Sequence, residues 1–267
     1  MSSAHAAVLL ASSGPSPLWY ATRAAGTASL VLLTATVVLG VAAAGRYAPE
    51  RIGRFEVSAL HRNLSLVTVV FLALHIVTAI ADSFTHIGWP ASVVPFASSY
   101  RPLWVGLGAV SLDLLLAVMI TSAVRQRIGQ RYWKAVHWAG YASWPFALFH
   151  AAGTGTDTRL ALQLALYWAC LAAVLAAVWW RLARAGQDAR RIRRWVLPAA
   201  GAVTVLFAVF LAVGPLRPGW SHRAASASPS ATVTSTTPAA PGTSPPPAPP
   251  AAPATPAAGE EEGGDIA

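Results

Sequence analysis

Four histidines fall in two pairs on apolar stretches: His61 and His75, fourteen residues apart, and His137 and His150, thirteen apart. Ionisable side chains are costly inside a bilayer and by default mark function there. At 1.5 Å rise per residue, each pair spans roughly 20 Å of helix axis, within a hydrocarbon core about 30 Å thick. Each helix therefore offers one imidazole near each membrane face. Two such helices side by side would clamp two stacked hemes, one per leaflet. Bis-imidazole ligation suits a low-spin b-type heme, which moves electrons rather than binding oxygen. A single zinc site using all four is excluded, because tetrahedral zinc needs every ligand within about 2.1 Å of one point. Hydrogen-bonded core histidines are the bland alternative, and two separate two-histidine metal sites are another.

The elements that must position these side chains follow from composition. The chain has 267 residues, 55% hydrophobic and 11% charged, against about a quarter charged in soluble domains. It reads as an all-α integral membrane protein: a bundle of six transmembrane helices with a disordered C-terminal tail. The expected spans are Ala24 to Ala44, Val57 to Ala81, Leu103 to Val124, Trp133 to Ala152, Leu160 to Leu182 and Trp195 to Val213. Helices are expected because lipid offers the backbone no hydrogen-bond partner. Residues 1–17 read as a short leader, without the basic start of a secretory signal. Residues 18–215 form the expected heme-binding domain. Residues 216–267 form an extracytoplasmic tail, rich in Pro, Ala, Ser and Thr from Ser221 onward, which cannot bury enough apolar surface to order itself. The single cysteine, Cys170, excludes an intrachain disulfide and a cysteine-ligated cluster.

The net charge of +9 does not point to nucleic acid, because the charges cluster in short loops between apolar spans. Of the 19 basic residues, 14 fall on one side, in the loops after the first, third and fifth spans. That asymmetry predicts a multi-pass cell-membrane protein with both termini extracytoplasmic. The second and fourth spans then run outward. His61 pairs with His137 at the inner level, and His75 with His150 at the outer level. Rotation complicates one pair. Fourteen residues close to within about 40° of full turns, whereas thirteen miss a common face by about 140°. Pro145 lies between His137 and His150, and the irregularity a proline introduces is expected to turn both imidazoles toward the partner helix.

Other residues carry weaker signals. Arg62, Arg131 and Lys134 near the inner level, and Arg101 and Arg159 near the outer face, are candidate partners of heme propionates or simple topology determinants. Asp113 lies mid-span as a proton relay or as a protonated carboxyl bonded to hydroxyls such as those of Ser111 and Thr121. His86 lies in an outer loop, and His5 and His222 lie in the chain ends. Trp133 and Trp195 read as interfacial anchors. Trp138, Tyr141 and Trp144 lie within the second histidine span and are candidates to line the space between hemes.

The stretch from Met119 to His150, MITSAVRQRIGQRYWKAVHWAGYASWPFALFH, resembles the ferric reductase-like transmembrane family. The shared features are Ile120-Thr121-Ser122 at a helix end, a basic turn with glycine from Arg127 to Arg131, and Trp133 four residues before His137. The segment from Arg62 to His75 resembles the preceding heme helix. That family includes NADPH oxidases, iron-chelate reductases and the heme subunit of bacterial methionine sulfoxide reductase systems. The resemblance covers about residues 18 to 182. It implies that His61, His75, His137 and His150 are axial ligands of two b-type hemes. No dinucleotide fingerprint is found and no flavin domain is expected after the helices. The electron donor is therefore expected to be a separate flavoprotein or membrane quinol, and the acceptor extracytoplasmic. Two other readings stand beside this one. One is a heme-binding subunit that only relays electrons to a partner reductase. The other is a heme-free scaffold whose tail recruits partners.

Overall fold

A computed structural model describes residues 16–44, 53–82, 87–184 and 190–220. Most of the expected leader, the tail from Ser221 onward, and the histidines His5, His86 and His222 lie outside the described residues. Among the described residues every regular element is helical. They are α1 (Pro17–Ala44), α2 (Arg54–Ala81), the single turn α3 (Pro90–Val93), α4 (Pro102–Ala123), α5 (Arg125–His137), α6 (Ala139–Thr154), a 3-10 turn (Asp157–Arg159), α7 (Ala161–Arg184) and α8 (Arg190–Val213).

Local chemistry sets the helix ends. At the start of α2, the Gly53 N–H donates to the Glu56 carboxylate at 3.0 Å, which satisfies an orphan donor beside the positive end of the helix dipole. Pro102 opens α4, where its missing N–H costs nothing. Arg181 lies in the last turn of α7 and donates to the Val41 carbonyl at 3.2 Å. It thereby ties the end of α7 to the end of α1. Among the described residues five helices, α1, α2, α4, α7 and α8, contain stretches long and apolar enough to cross a bilayer. The chain is a multi-pass helical membrane protein.

The expected fourth span differs. The chain from Trp133 to Ala152 is not one helix but the end of α5, a turn at Trp138, and α6. Gly129, at φ 80°, makes a second break inside α5. At 16 residues, α6 is short for a span, but it is the most enclosed helix of the bundle. Ser143, Trp144, Leu148 and Ala152 are buried.

The core joins four helices. Leu30, Leu33 and Val37 of α1 meet Trp144 and Leu148 of α6, Tyr167 and Leu171 of α7, and Phe207 and Leu211 of α8. The Trp144 indole N–H donates to Thr34 Oγ1 at 2.8 Å and the Ser111 hydroxyl to the Ser143 carbonyl at 2.9 Å. The closest backbone pairings are α1 with α2 and α4 with α6. α2, which carries His61 and His75, and α6, which carries His150 and follows His137 at the end of α5, are thus each backed by a neighbour and lie on either side of a gap. The outer face of α2 carries Leu66, Val70, Leu74 and Val77, all exposed, as expected of a lipid-facing stripe.

Candidate functional site

Each depth-matched pair of imidazoles meets across the gap between the histidine helices. The His61 and His137 ring centroids lie 6.3 Å apart, and those of His75 and His150 lie 6.1 Å apart. Two imidazoles on opposite sides of one metal, each bonded at about 2.0–2.1 Å, have ring centres about 6 Å apart. The planes cross at 69° and 79° respectively. Among the described residues, no three of His, Cys, Asp and Glu cluster as a metal site. Among the described residues, a pair of imidazoles at each level would suit a heme iron, which needs few ligands from the protein.

The orientation of the rings supports the same fit. His61 Nδ1 donates to the Thr36 carbonyl at 3.0 Å. His75 Nδ1 donates to the Thr22 carbonyl at 2.8 Å, and His150 Nδ1 to the Trp104 carbonyl at 2.8 Å. A carbonyl only accepts, so Nδ1 carries the proton in each of these three. The lone pair is thereby placed on Nε2, the nitrogen free for a metal. A glycine lies under each of the same rings. A Cβ on Gly40 would come within 3.2 Å of His61, one on Gly26 within 2.9 Å of His75, and one on Gly108 within 2.5 Å of His150. These glycines give the imidazoles room to reach the backbone.

His75 and His150 both line a cavity of about 240 Å³. Its walls are mostly apolar, with Leu30, Leu72, Leu112 and Leu115 toward the bundle interior and Arg23, Asp82, Tyr100 and Asp157 among its polar lining. Arg23 pairs with Asp157 at 2.6 Å and donates to Thr156 Oγ1 at 2.8 Å. Its guanidinium also lies 4.2 Å from the Trp19 ring centre.

Other expected residues fall elsewhere. Arg101 is buried and donates to the Gly153 carbonyl at 2.7 Å, closing the C-terminal end of α6. Burial pushes its guanidinium below its ordinary value. Its backbone is left-handed, at φ 44°, a strained conformation for an arginine. Arg62, Arg131, Lys134 and Arg159 are exposed. Asp113 is half-buried and lines no part of the cavity. The Ser111 and Thr121 hydroxyls bond backbone carbonyls instead of Asp113. Trp144 is a core residue. Trp195 is 71% exposed, as an interfacial anchor would be. Trp133 is more than an anchor: its ring lies 4.9 Å from that of His137, at 30°.

Sequence reasoning missed the three glycines, the three carbonyl acceptors and Arg23. One signal was present. Gly26 and Gly40 are fourteen residues apart, the spacing of His61 and His75. A glycine repeat on one helix that matches a histidine repeat on the next predicts their contact.

Residues 25–151 match the family model described as ferric reductase like transmembrane component. The chain is 30% identical over 171 residues to the protein-methionine-sulfoxide reductase heme-binding subunit MsrQ of Ralstonia nicotianae (strain ATCC BAA-1114 / GMI1000). The alignment covers 62% of this chain and 74% of that relative. No solved structure matches the chain.

Proposed function

The chain belongs to the family of ferric reductase-like transmembrane components, and from that premise we propose that it is a di-heme b-type membrane cytochrome. In this reading it carries electrons across the membrane from a cytoplasmic or quinol donor to an extracytoplasmic acceptor. His61 and His137 hold one heme iron, and His75 and His150 hold the other. The observation that carries the reading is the pair of imidazole gaps, 6.3 and 6.1 Å, each of the size one metal needs.

Bound heme supplies reversible one-electron chemistry at its iron. The residues of the chain provide position and environment. The carbonyls of Thr22, Thr36 and Trp104 fix three imidazole tautomers and ring directions. The leucines of the cavity give the His75/His150 level a mostly apolar surround. Arg23, whose side chain is partly exposed at that cavity, offers a cation to an anionic propionate. The excess of basic residues in three loops supports a cytoplasmic His61/His137 level and extracytoplasmic termini. Heme-to-protein ratio and reduced-minus-oxidised spectra of the purified chain test the reading. Two b-type hemes per chain are expected, and a chain that binds none would refute it.

A second reading is favoured by the similarity to a heme-binding subunit. Here the protein relays electrons only to a partner reductase and reduces no small acceptor itself. Ferric-chelate reduction by the purified chain, supplied with only a quinol or reduced flavin, separates the two. Turnover supports the first reading and its absence the second.

A further inference from the structure

Three of the four imidazoles share one kind of seat. Each bonds a helix carbonyl, and in each case the glycine lies four residues after that carbonyl: Thr22 and Gly26, Thr36 and Gly40, Trp104 and Gly108. Residues four apart lie on one helix face. The glycine therefore clears the path to the carbonyl one turn below it.

The fourth seat is built differently. On α1, moving fourteen residues from Thr22 and Gly26 reaches Thr36 and Gly40. The same step on α4, from Trp104 and Gly108, reaches Val118 and Ser122. Ser122 carries a side chain where the other seats have none. The Val118 carbonyl already accepts from the Thr121 hydroxyl at 3.2 Å. His137 Nδ1 is buried and bonds nothing among the described residues. Its ring instead lies tilted by 30° against the indole of Trp133, with centroids 4.9 Å apart. The Trp133 indole N–H in turn donates to Ser122 Oγ at 3.1 Å.

We propose that Trp133, held by Ser122, is the positioning residue for His137, taking over the task that a backbone carbonyl performs for the other three histidines. The proposal rests on the di-heme reading. A ligating histidine that donates its other N–H to a carbonyl is the more basic ligand, and a more basic ligand favours the oxidised iron. The His61/His137 level has one such histidine, and the His75/His150 level has two. Ring packing sets the direction of His137 without adding that donation. The potential of this level therefore depends on an aromatic contact that can be altered without touching a ligand.

The test uses the full-length purified holoprotein and two mild variants, Ser122→Ala and Trp133→Phe. The first removes the acceptor and keeps the indole. The second keeps an aromatic face and removes the N–H. Potentiometric titration and low-spin ferric EPR read each heme separately, the latter through the relative orientation of the two imidazole planes. Both variants are expected to keep two hemes, to shift the midpoint potential of one, and to broaden or displace that heme's EPR signal alone. The double variant is expected to change little beyond either single one, because both break the same contact. Two hemes with unmoved signals, or equal shifts of both hemes, would overturn the role of Trp133 and leave the di-heme reading intact. A wild-type chain with fewer than two hemes would overturn both.

Discussion

The two histidine levels differ in how continuous the chain is around them. His75 and His150 each lie within an unbroken helix, α2 and α6, and each reaches a carbonyl on the helix that backs it. At the other level His61 has the same support, but His137 is the last residue of α5, just before the turn at Trp138. The turn lies between the two members of the thirteen-residue pair. A straight helix would point His137 and His150 about 140° apart, yet each ring meets its partner across a gap of nearly the same width. The interruption lies at Trp138, seven residues before Pro145. Pro145 lies within α6 and supplies no N–H for the Tyr141 carbonyl. One level is positioned by backbone and glycine, and the other partly by a side-chain stack just before the turn at Trp138.

The sharpest way to break the comparison is to fill the glycine seats. Gly108→Ala puts a methyl 2.5 Å from the His150 ring, Gly26→Ala one at 2.9 Å from His75, and Gly40→Ala one at 3.2 Å from His61. The expected order of damage is Gly108, then Gly26, then Gly40. Heme content at the affected level is the measurement. Gly108→Ala is expected to empty its level, while Gly40→Ala retains most of its heme. Equal effects at all three would deny that close approach is what these glycines provide.

A smaller effect is expected at the end of α6. Arg101→Ala removes the buried donor to the Gly153 carbonyl and is expected to cost about 1.5–3 kcal/mol. A lower thermal midpoint in detergent, with earlier heme loss from the His75/His150 level, is the readout. The smallest effect is at Asp157→Asn. The pair with Arg23 is short at 2.6 Å, but its side chains are 23% and 38% exposed, so about 1 kcal/mol or less is at stake. Thermal melts at low and high salt are expected to differ less for the variant than for the parent.

Much of the site was legible in sequence. The four histidines, their depth pairing and the six apolar stretches follow from spacing, hydropathy and the placement of arginines. The break at Trp138 was not, because Trp, Ala, Gly and Tyr there read as a plausible continuation of an apolar helix. Nor were the seats of the imidazoles, since every residue has a carbonyl and no side chain marks the one that is used. The glycines mark them indirectly, and only once the helices are known to be neighbours. The contact of Arg101 with the end of α6 is hidden from sequence for a related reason. A basic residue at a span end reads as a topology signal, and only the packing of α4 against α6 turns it inward to cap carbonyls.

In the proposed cytochrome the four histidines act as two depth-matched pairs. Heme-to-protein ratio, with spectra resolving the two hemes, measured on His61→Ala, His75→Ala, His137→Ala and His150→Ala tests it directly. His61→Ala and His137→Ala are expected to lose the same heme, and His75→Ala and His150→Ala the other. Loss shared instead by His61 with His75, and by His137 with His150, would contradict the account.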